Sequence, residues 1–176
     1  KLVHEDKVAG VVGEYHSAAA LAQIPVYTKA GIPAIFSETW NDKITAGDPA
    51  DPNLPPFPPT VFRIAPTSSY ASALRAEWMV KGLGVDKVVD VYEATDFGLG
   101  QNEVLKKLLG EAGVEVVSVQ VELNQPDYTP ALARVAQEHD DADLVVFDVT
   151  GESSYVVTQN AIEAGLIDED TKCLTN

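Results

Sequence analysis

Three stretches of the chain place polar side chains where a strand gives way to a helix. The first is Gly13-Glu14-Tyr15-His16-Ser17-Ala18. A helix that opens here presents unbonded N–H groups and the positive end of its dipole, both suited to a carboxylate or another anion. Ser17 adds a hydroxyl at the same point, and Tyr15 and His16 stand beside it as further candidate ligand contacts. Serine is also a common plain N-cap, so the same residue reads equally well as a structural one. His16 and Ser17 are no catalytic pair, because neighbours in sequence do not aim a base at the adjacent oxygen and the G-x-S-x-G elbow is missing.

The second stretch is Tyr92-Glu93-Ala94-Thr95-Asp96-Phe97-Gly98-Leu99-Gly100. Gly98-x-Gly100 resembles part of a phosphate loop, but the third glycine and any Walker lysine are missing, so it is a weak nucleotide signal. Phe97 is positioned to offer its ring to a ligand, or to pack as a staple on its own helix. The third is Asp148-Val149-Thr150-Gly151-Glu152-Ser153, another strand end. In open α/β sheets such ends line the ligand crevice. The acidic runs Glu138-His139-Asp140-Asp141-Ala142-Asp143 and Asp168-Glu169-Asp170 lack calcium-loop spacing and read as solvated caps and turns. His4, His16 and His139 are too scattered for a metal signature. No cofactor and no metal is expected.

The elements that must carry these groups sit in a chain of 176 residues, where 12 Lys+Arg against 27 Asp+Glu leave a net charge of −15. That acidity argues against nucleic acid and against anionic membrane surfaces as partners. No run approaches the roughly 18 apolar residues needed to cross a bilayer, so no membrane insertion of this segment is expected. The single cysteine, Cys173, excludes an internal disulfide and a multi-cysteine zinc site.

Apolar periodicity predicts strands at Val8–Val12, Pro33–Phe36, Val61–Ala65, Val88–Tyr92, Val114–Val121 and Leu144–Val149. Helices are expected from Ser17 to about Ala30, bent at Pro25 and stopped by Gly31, and from Ser69 to about Lys81, with Tyr70, Leu74 and Trp78 on one face. Further helices follow over Gly98–Ala112, from a Thr129-Pro130 cap to Glu138, and over Ser153–Ala164. Between Asn41 and Thr60 prolines crowd together, and no regular element is expected there. Strands alternating with helices imply a parallel sheet covered on both faces. The opening Lys1–Lys7 reads as a helix tail, and Lys172–Asn176 as a strand cut short, so the sequence is expected to be a piece of a longer protein.

Taken in order, the motifs resemble type I periplasmic binding proteins, specifically the branched-chain amino-acid group of ABC-transporter substrate receptors. Gly13–Ala18 is similar to that family's G-P-Y-S-S-G segment, Gly31–Ser37 to G-I-P-L-I-S-P, and Val61–Ser68 to V-F-R-T-A-P-S-D. Tyr92–Gly100 resembles Y-D-D-D-A-Y-G-K-G, and Ala161–Leu166 resembles A-R-E-A-G-L. The resemblance implies an α/β fold of two lobes, each a parallel sheet flanked by helices, incomplete here at both ends. Residues 1–84, with the proline-rich loop at about 41–60, would form part of the first lobe and 85–176 part of the second.

It further implies that Ser17 lies where the family's serine holds a ligand carboxylate. Thr39 and Trp40 fall where the family commonly has alanine and threonine, Phe97 replaces a tyrosine that packs on the ligand, and Thr150 replaces another frequent tyrosine. With Trp40 and Phe97 present for stacking, the expected ligand is an amino acid or an aromatic acid. The function implied is that of a non-enzymatic solute receptor, periplasmic or lipid-anchored outside the cell, partnered by an ABC permease. The alternative is a cytoplasmic amide-sensor-like regulator of the same fold. A flavodoxin-like or Rossmann enzyme lacks the phosphate loop or activated nucleophile it would need.

Overall fold

Strand formation begins where short β-branched and apolar runs meet glycine or proline. In a computed structural model, which describes residues 1–169 and 171–175, the expected strands and helices alternate along the whole chain. In order they are β1 (Val11–Val12), α1 (Ser17–Ala30), β2 (Ala34–Phe36), α2 (Lys43–Ala46), β3 (Val61–Arg63) and α3 (Ser68–Glu77). A π-helical turn, Trp78–Leu83, continues α3. Then come β4 (Lys87–Glu93), α4 (Asp96–Glu111), β5 (Glu115–Val121), α5 (Thr129–Glu138), β6 (Leu144–Asp148), α6 (Glu152–Glu163) and β7 (Lys172–Thr175). All pairings are parallel, in a three-stranded sheet ordered β1-β2-β3 and a four-stranded sheet ordered β5-β4-β6-β7.

The chain divides into two compact units. One comprises Lys1–Ala71 with Thr95–Gly100; the other comprises Ser72–Ala94 with Gln101–Asn176. In the first unit, Ala34, Phe36 and Val61 pack against Ala20, Leu21, Ile24 and Tyr27 of α1. Gly31 stops that helix in a left-handed conformation (φ 67°), which lets the amides of Gly31 and Ile32 turn back to the carbonyls of Thr28 and Tyr27. The helix runs unbroken through Pro25. The opposite sheet face carries Val12, Ile35 and Phe62, a single register row exposed among the described residues. Among the described residues, the expected helical cover lies on the α1 face of this sheet.

In the second unit both faces of the sheet are covered. Val89, Val91, Val145 and Phe147 face Leu132 and Val135 of α5 and Val157 and Ala161 of α6. The alternate residues Val88, Leu144 and Val146 face Ala76, Met79, Leu105 and Leu109. Strands buried on both faces read as continuous apolar runs, which is why β4 and β6 were legible as strands.

Several boundaries differ from the sequence reading. The first strand keeps only two of its five expected residues, and Lys1–Asp6 make an isolated turn closed by the Glu5 amide on the Lys1 carbonyl at 2.9 Å. The proline-rich loop contains a regular element after all, the one-turn α2. It starts where the Asn41 side chain accepts the Lys43 amide at 2.9 Å. Helix α5 is entered from Tyr128 rather than Thr129, which is already its first residue and whose amide donates to Asp127. On α3 the stripe of Tyr70, Leu74 and Trp78 exists but points outward, at 62%, 53% and 48% exposure. The inward face is instead Ser68, Ser72, Ala76 and Met79.

Candidate ligand-binding site

Helix α1 opens without a side-chain cap. His16 is its N-cap residue, in extended conformation, and Ser17 is already the first helical residue. The plain capping role therefore does not apply to Ser17. Its Oγ lies in the first unit's interior, 2% exposed, and accepts the backbone N–H groups of Trp40 and Asn41, both at 3.3 Å. A hydroxyl has two acceptor sites and one proton. Both acceptor sites of Ser17 are filled, so its own O–H is left to donate.

The segment before the helix is held by a carboxylate from within the chain. Glu14 sits at φ 117°, an uncommon conformation for a side-chain-bearing residue. Its Oε1 accepts the amides of Tyr15 (3.0 Å) and His16 (3.2 Å), and its Oε2 accepts Gln23 Nε2 at 2.7 Å. Gln23 in turn accepts the Tyr27 hydroxyl at 2.9 Å. Partial burial pushes the Glu14 carboxyl upward, but the Gln23 and amide hydrogen bonds with the nearby His16 outweigh it and hold the group below the usual range. Burial, with the Glu14 charge, raises the Tyr27 phenol. Tyr15 and His16 are exposed, their rings edge to face at 5.0 Å.

Opposite Ser17, the turn Thr39–Asn41 is fastened from several sides. The Trp40 carbonyl accepts the Ser68 amide (2.7 Å) and hydroxyl (3.1 Å). Arg63 Nη1 donates to the carbonyls of Thr39 (3.5 Å), Trp40 (3.3 Å) and Asn41 (2.8 Å), and its Nη2 donates to Thr45 Oγ1 at 2.7 Å. Asn41 Nδ2 donates to the Asp96 carbonyl at 2.5 Å. Asp42 accepts the amide and the hydroxyl of Ser69. Gly100 serves close packing here: a Cβ on it would lie 3.0 Å from Asn41 Nδ2.

The turn thereby buries Thr39 completely, with Oγ1 unpartnered among the described residues. It also sets the half-buried Trp40 ring against Phe97, edge to face, with centroids 6.5 Å apart. Of the residues singled out in the sequence, Tyr15, His16, Ser17, Thr39, Trp40 and Phe97 thus share the first unit. Thr150 belongs to the second, where its amide and hydroxyl both donate to Glu93 Oε2 at 2.7 Å.

Sequence reasoning missed the polar groups that do the fastening. Arg63 lay inside a quoted motif without an assigned role, and Asn41, Ser68 and Glu93 carried no signal beyond their polarity. It also missed a buried network in the second unit. Asp148, fully buried, accepts Arg75 Nη1 (2.8 Å) and Nη2 (3.1 Å), and Arg75 Nη2 reaches Gln101 Oε1 at 3.1 Å. Asp90, also fully buried, accepts Asn102 Nδ2 at 2.8 Å while its Oδ1 has no partner among the described residues. Burial first, and then the Asp148 charge, push the Asp90 carboxyl up to about 7.

The acidic runs form turns and surface pairs. Asp143 accepts the amides of Asp86 and Lys87, Asp141 pairs with Lys87 Nζ, and Asp168 closes a turn on Thr171; Asp170 lies outside the described residues. No cluster of three or more metal-ligating side chains occurs among the described residues. An open groove of about 770 Å³ along Tyr155, Thr158 and Ile162 of α6 and Thr175 of β7 contains none of the candidate residues.

A family model described as periplasmic binding protein matches residues 1–176. The chain belongs to that family. Among curated proteins none matches the sequence. Solved structures share the fold at low identity. A solute-binding protein of an ABC transporter from Rhodopseudomonas palustris BisB5, in complex with 3,4-dihydroxybenzoic acid, is 24% identical with a TM-score of 0.80; the match covers 99% of this chain and 45% of that one. A leucine-binding protein from Thermotoga maritima MSB8 is 21% identical with a TM-score of 0.82, covering 99% and 46%. A benzoate-bound solute-binding protein from R. palustris is 22% identical with a TM-score of 0.83, covering 99% and 45%. This binding-protein chain thus spans about 45% of the length of those structures.

Proposed function

We propose that this segment belongs to an extracytoplasmic solute receptor that binds a small carboxylate, an amino acid or an aromatic acid, and delivers it to an ABC permease. Family membership supports the receptor class. One local observation carries the ligand class: among the described residues Thr39 Oγ1 and the Ser17 proton are two buried hydroxyl functions without acceptors, and the Thr39–Asn41 turn facing Ser17 also sets Trp40 against Phe97. A buried hydrogen-bonding group left unmade costs roughly 1–3 kcal/mol, so an incoming carboxylate that accepts both protons relieves a standing penalty. The aromatic pair supplies an apolar wall for the rest of the ligand. The expected division into lobes at residues 1–84 and 85–176 is part of the same proposal.

The test uses the full-length protein in a Trp78→Phe background, so that Trp40 reports alone within this segment. Titration with benzoate and with leucine is expected to give a saturable fluorescence change with at least one of them. Thr39→Val keeps the shape and removes only the unpartnered hydroxyl. It is expected to leave thermal stability unchanged or raised while weakening binding about tenfold, the scale of one hydrogen bond to a charged group. Folded protein that responds to no aromatic acid and no amino acid overturns the reading.

A further inference from the structure

Arg63 is half-buried at the end of β3, yet it takes part in none of the ion pairs among the described residues. Its donors go to neutral oxygens: three successive carbonyls, those of Thr39, Trp40 and Asn41, and the Thr45 hydroxyl. Two of these carbonyls matter for their peptide partners. The Thr39 carbonyl shares a peptide plane with the Trp40 N–H, and the Trp40 carbonyl shares one with the Asn41 N–H. Those two N–H groups are the ones that donate to Ser17 Oγ. A continuous path therefore runs from the guanidinium through two peptide groups to a single hydroxyl oxygen, whose proton remains to be given.

We infer that Arg63 is a positioning residue that tunes the carboxylate subsite without touching the ligand, by polarising the 39–40 and 40–41 peptides so that Ser17 becomes a stronger donor toward an anion. Hydrogen bonds in series reinforce one another, by perhaps 10–30% per bond in condensed phases. An ionised donor at the head of the series is stronger than a neutral one. Ser68, donating twice to the Trp40 carbonyl, adds to the same polarisation. Lysine does not reproduce the device, because its single nitrogen lacks the second donor that anchors the guanidinium plane on Thr45 Oγ1 while Nη1 lies against the carbonyls. The inference rests on the carboxylate-receptor reading.

A residue that merely pins the turn affects any ligand, whatever its charge. A residue that tunes donor strength discriminates between an acid and its amide. The experiment compares benzoate with benzamide, and leucine with leucinamide, on the full-length wild type, Arg63→Lys and Arg63→Gln, with amide proton shifts of Trp40 and Asn41 recorded by NMR. Expected in the variants is a loss of about tenfold in acid affinity, with amide affinity changed by less than about twofold. The Trp40 and Asn41 amide protons are expected to move upfield, as their hydrogen bonds weaken. An unchanged acid-to-amide ratio in Arg63→Lys overturns the inference, as do unmoved amide protons, while carboxylate binding itself stands. Wild type that binds neither acid overturns the receptor reading and this inference with it. If Arg63→Gln does not fold, Arg63→Lys, which keeps the charge and loses the fork, decides alone.

Discussion

Asp90 and Asp148 lie on adjacent strands with side chains on the same face, since Asp148 is paired in register with Tyr92, two residues beyond Asp90. Arg75 is bonded to Asp148 through both terminal nitrogens, and among the described residues Asp90 accepts only from the uncharged Asn102 amide. One guanidinium cannot neutralise two buried carboxylates, so Asp90 holds its proton until its carboxyl titrates at about 7. A carboxyl raised from 3.8 to about 7 binds an extra proton in the folded state between those values. Its contribution to stability is complete below pH 3.8 and is lost as pH rises through 7. About 1.4 kcal/mol per pH unit of that window sets an upper figure of roughly 4 kcal/mol. Asp90→Asn is therefore expected to stabilise the protein relative to wild type more at pH 8 than at pH 5, as read by denaturant unfolding at both. Equal differences at the two pH values would show that Asp90 is ionised throughout. Truncating the other side, Arg75→Met, leaves Asp148 buried without its guanidinium and is expected to lose about 3–5 kcal/mol.

At the scale of elements, α3 shows how a periodic pattern misleads. Tyr70, Leu74 and Trp78 recur at helical spacing, and such a stripe ordinarily marks the core-facing side. Here the core-facing side is built from small residues, which let Ser72 reach Gln101 at 2.9 Å and let Arg75 reach Asp148. Tyr70, Leu74 and Trp78 are left outside. Met79→Ala, at a fully buried position, is expected to destabilise by about 2–5 kcal/mol. Leu74→Ala, on the exposed stripe, is expected to stay within about 0.5 kcal/mol. Thermal unfolding of the two variants distinguishes the faces, and a large loss at Leu74 would return the stripe to the core. Helix α4 is the contrasting case: its apolar stripe is the buried one, with Leu105 and Leu109 fully enclosed.

At the scale of the whole chain, the charge of −15 acts everywhere at once. The cations in ion pairs such as Lys43–Asp48, Lys87–Asp141 and Arg134–Glu138 are already counted in that figure, so acidic side chains outnumber basic ones by 15. Self-repulsion of this kind weakens the compact state and is screened by salt, with a Debye length falling from about 30 Å at 0.01 M to about 10 Å at 0.1 M. The melting temperature is expected to rise by a few degrees between 10 and 300 mM sodium chloride. A fall over that range would mean that the ion pairs outweigh the repulsion.

What the sequence determined by itself is the part that depends on local periodicity and on residue type. The parallel α/β alternation, the Gly31 stop, the strands buried on both faces and the family resemblance were all legible, because each is written over a few consecutive residues. The resemblance put Ser17, Thr39 and Trp40 in the first lobe and Phe97 in the second, whereas Thr95–Gly100, with Phe97, groups with the first unit. Tertiary structure alone decided which way α3 faces, that one face of the three-stranded sheet stays open among the described residues, and that Ser17 receives amides 23 and 24 residues away instead of capping its own helix. It alone paired Arg63 with three carbonyls and left Asp90 beside a carboxylate that already had its cation. Hydrogen-bond partners are chosen by distance in space, and a sequence records only distance along the chain.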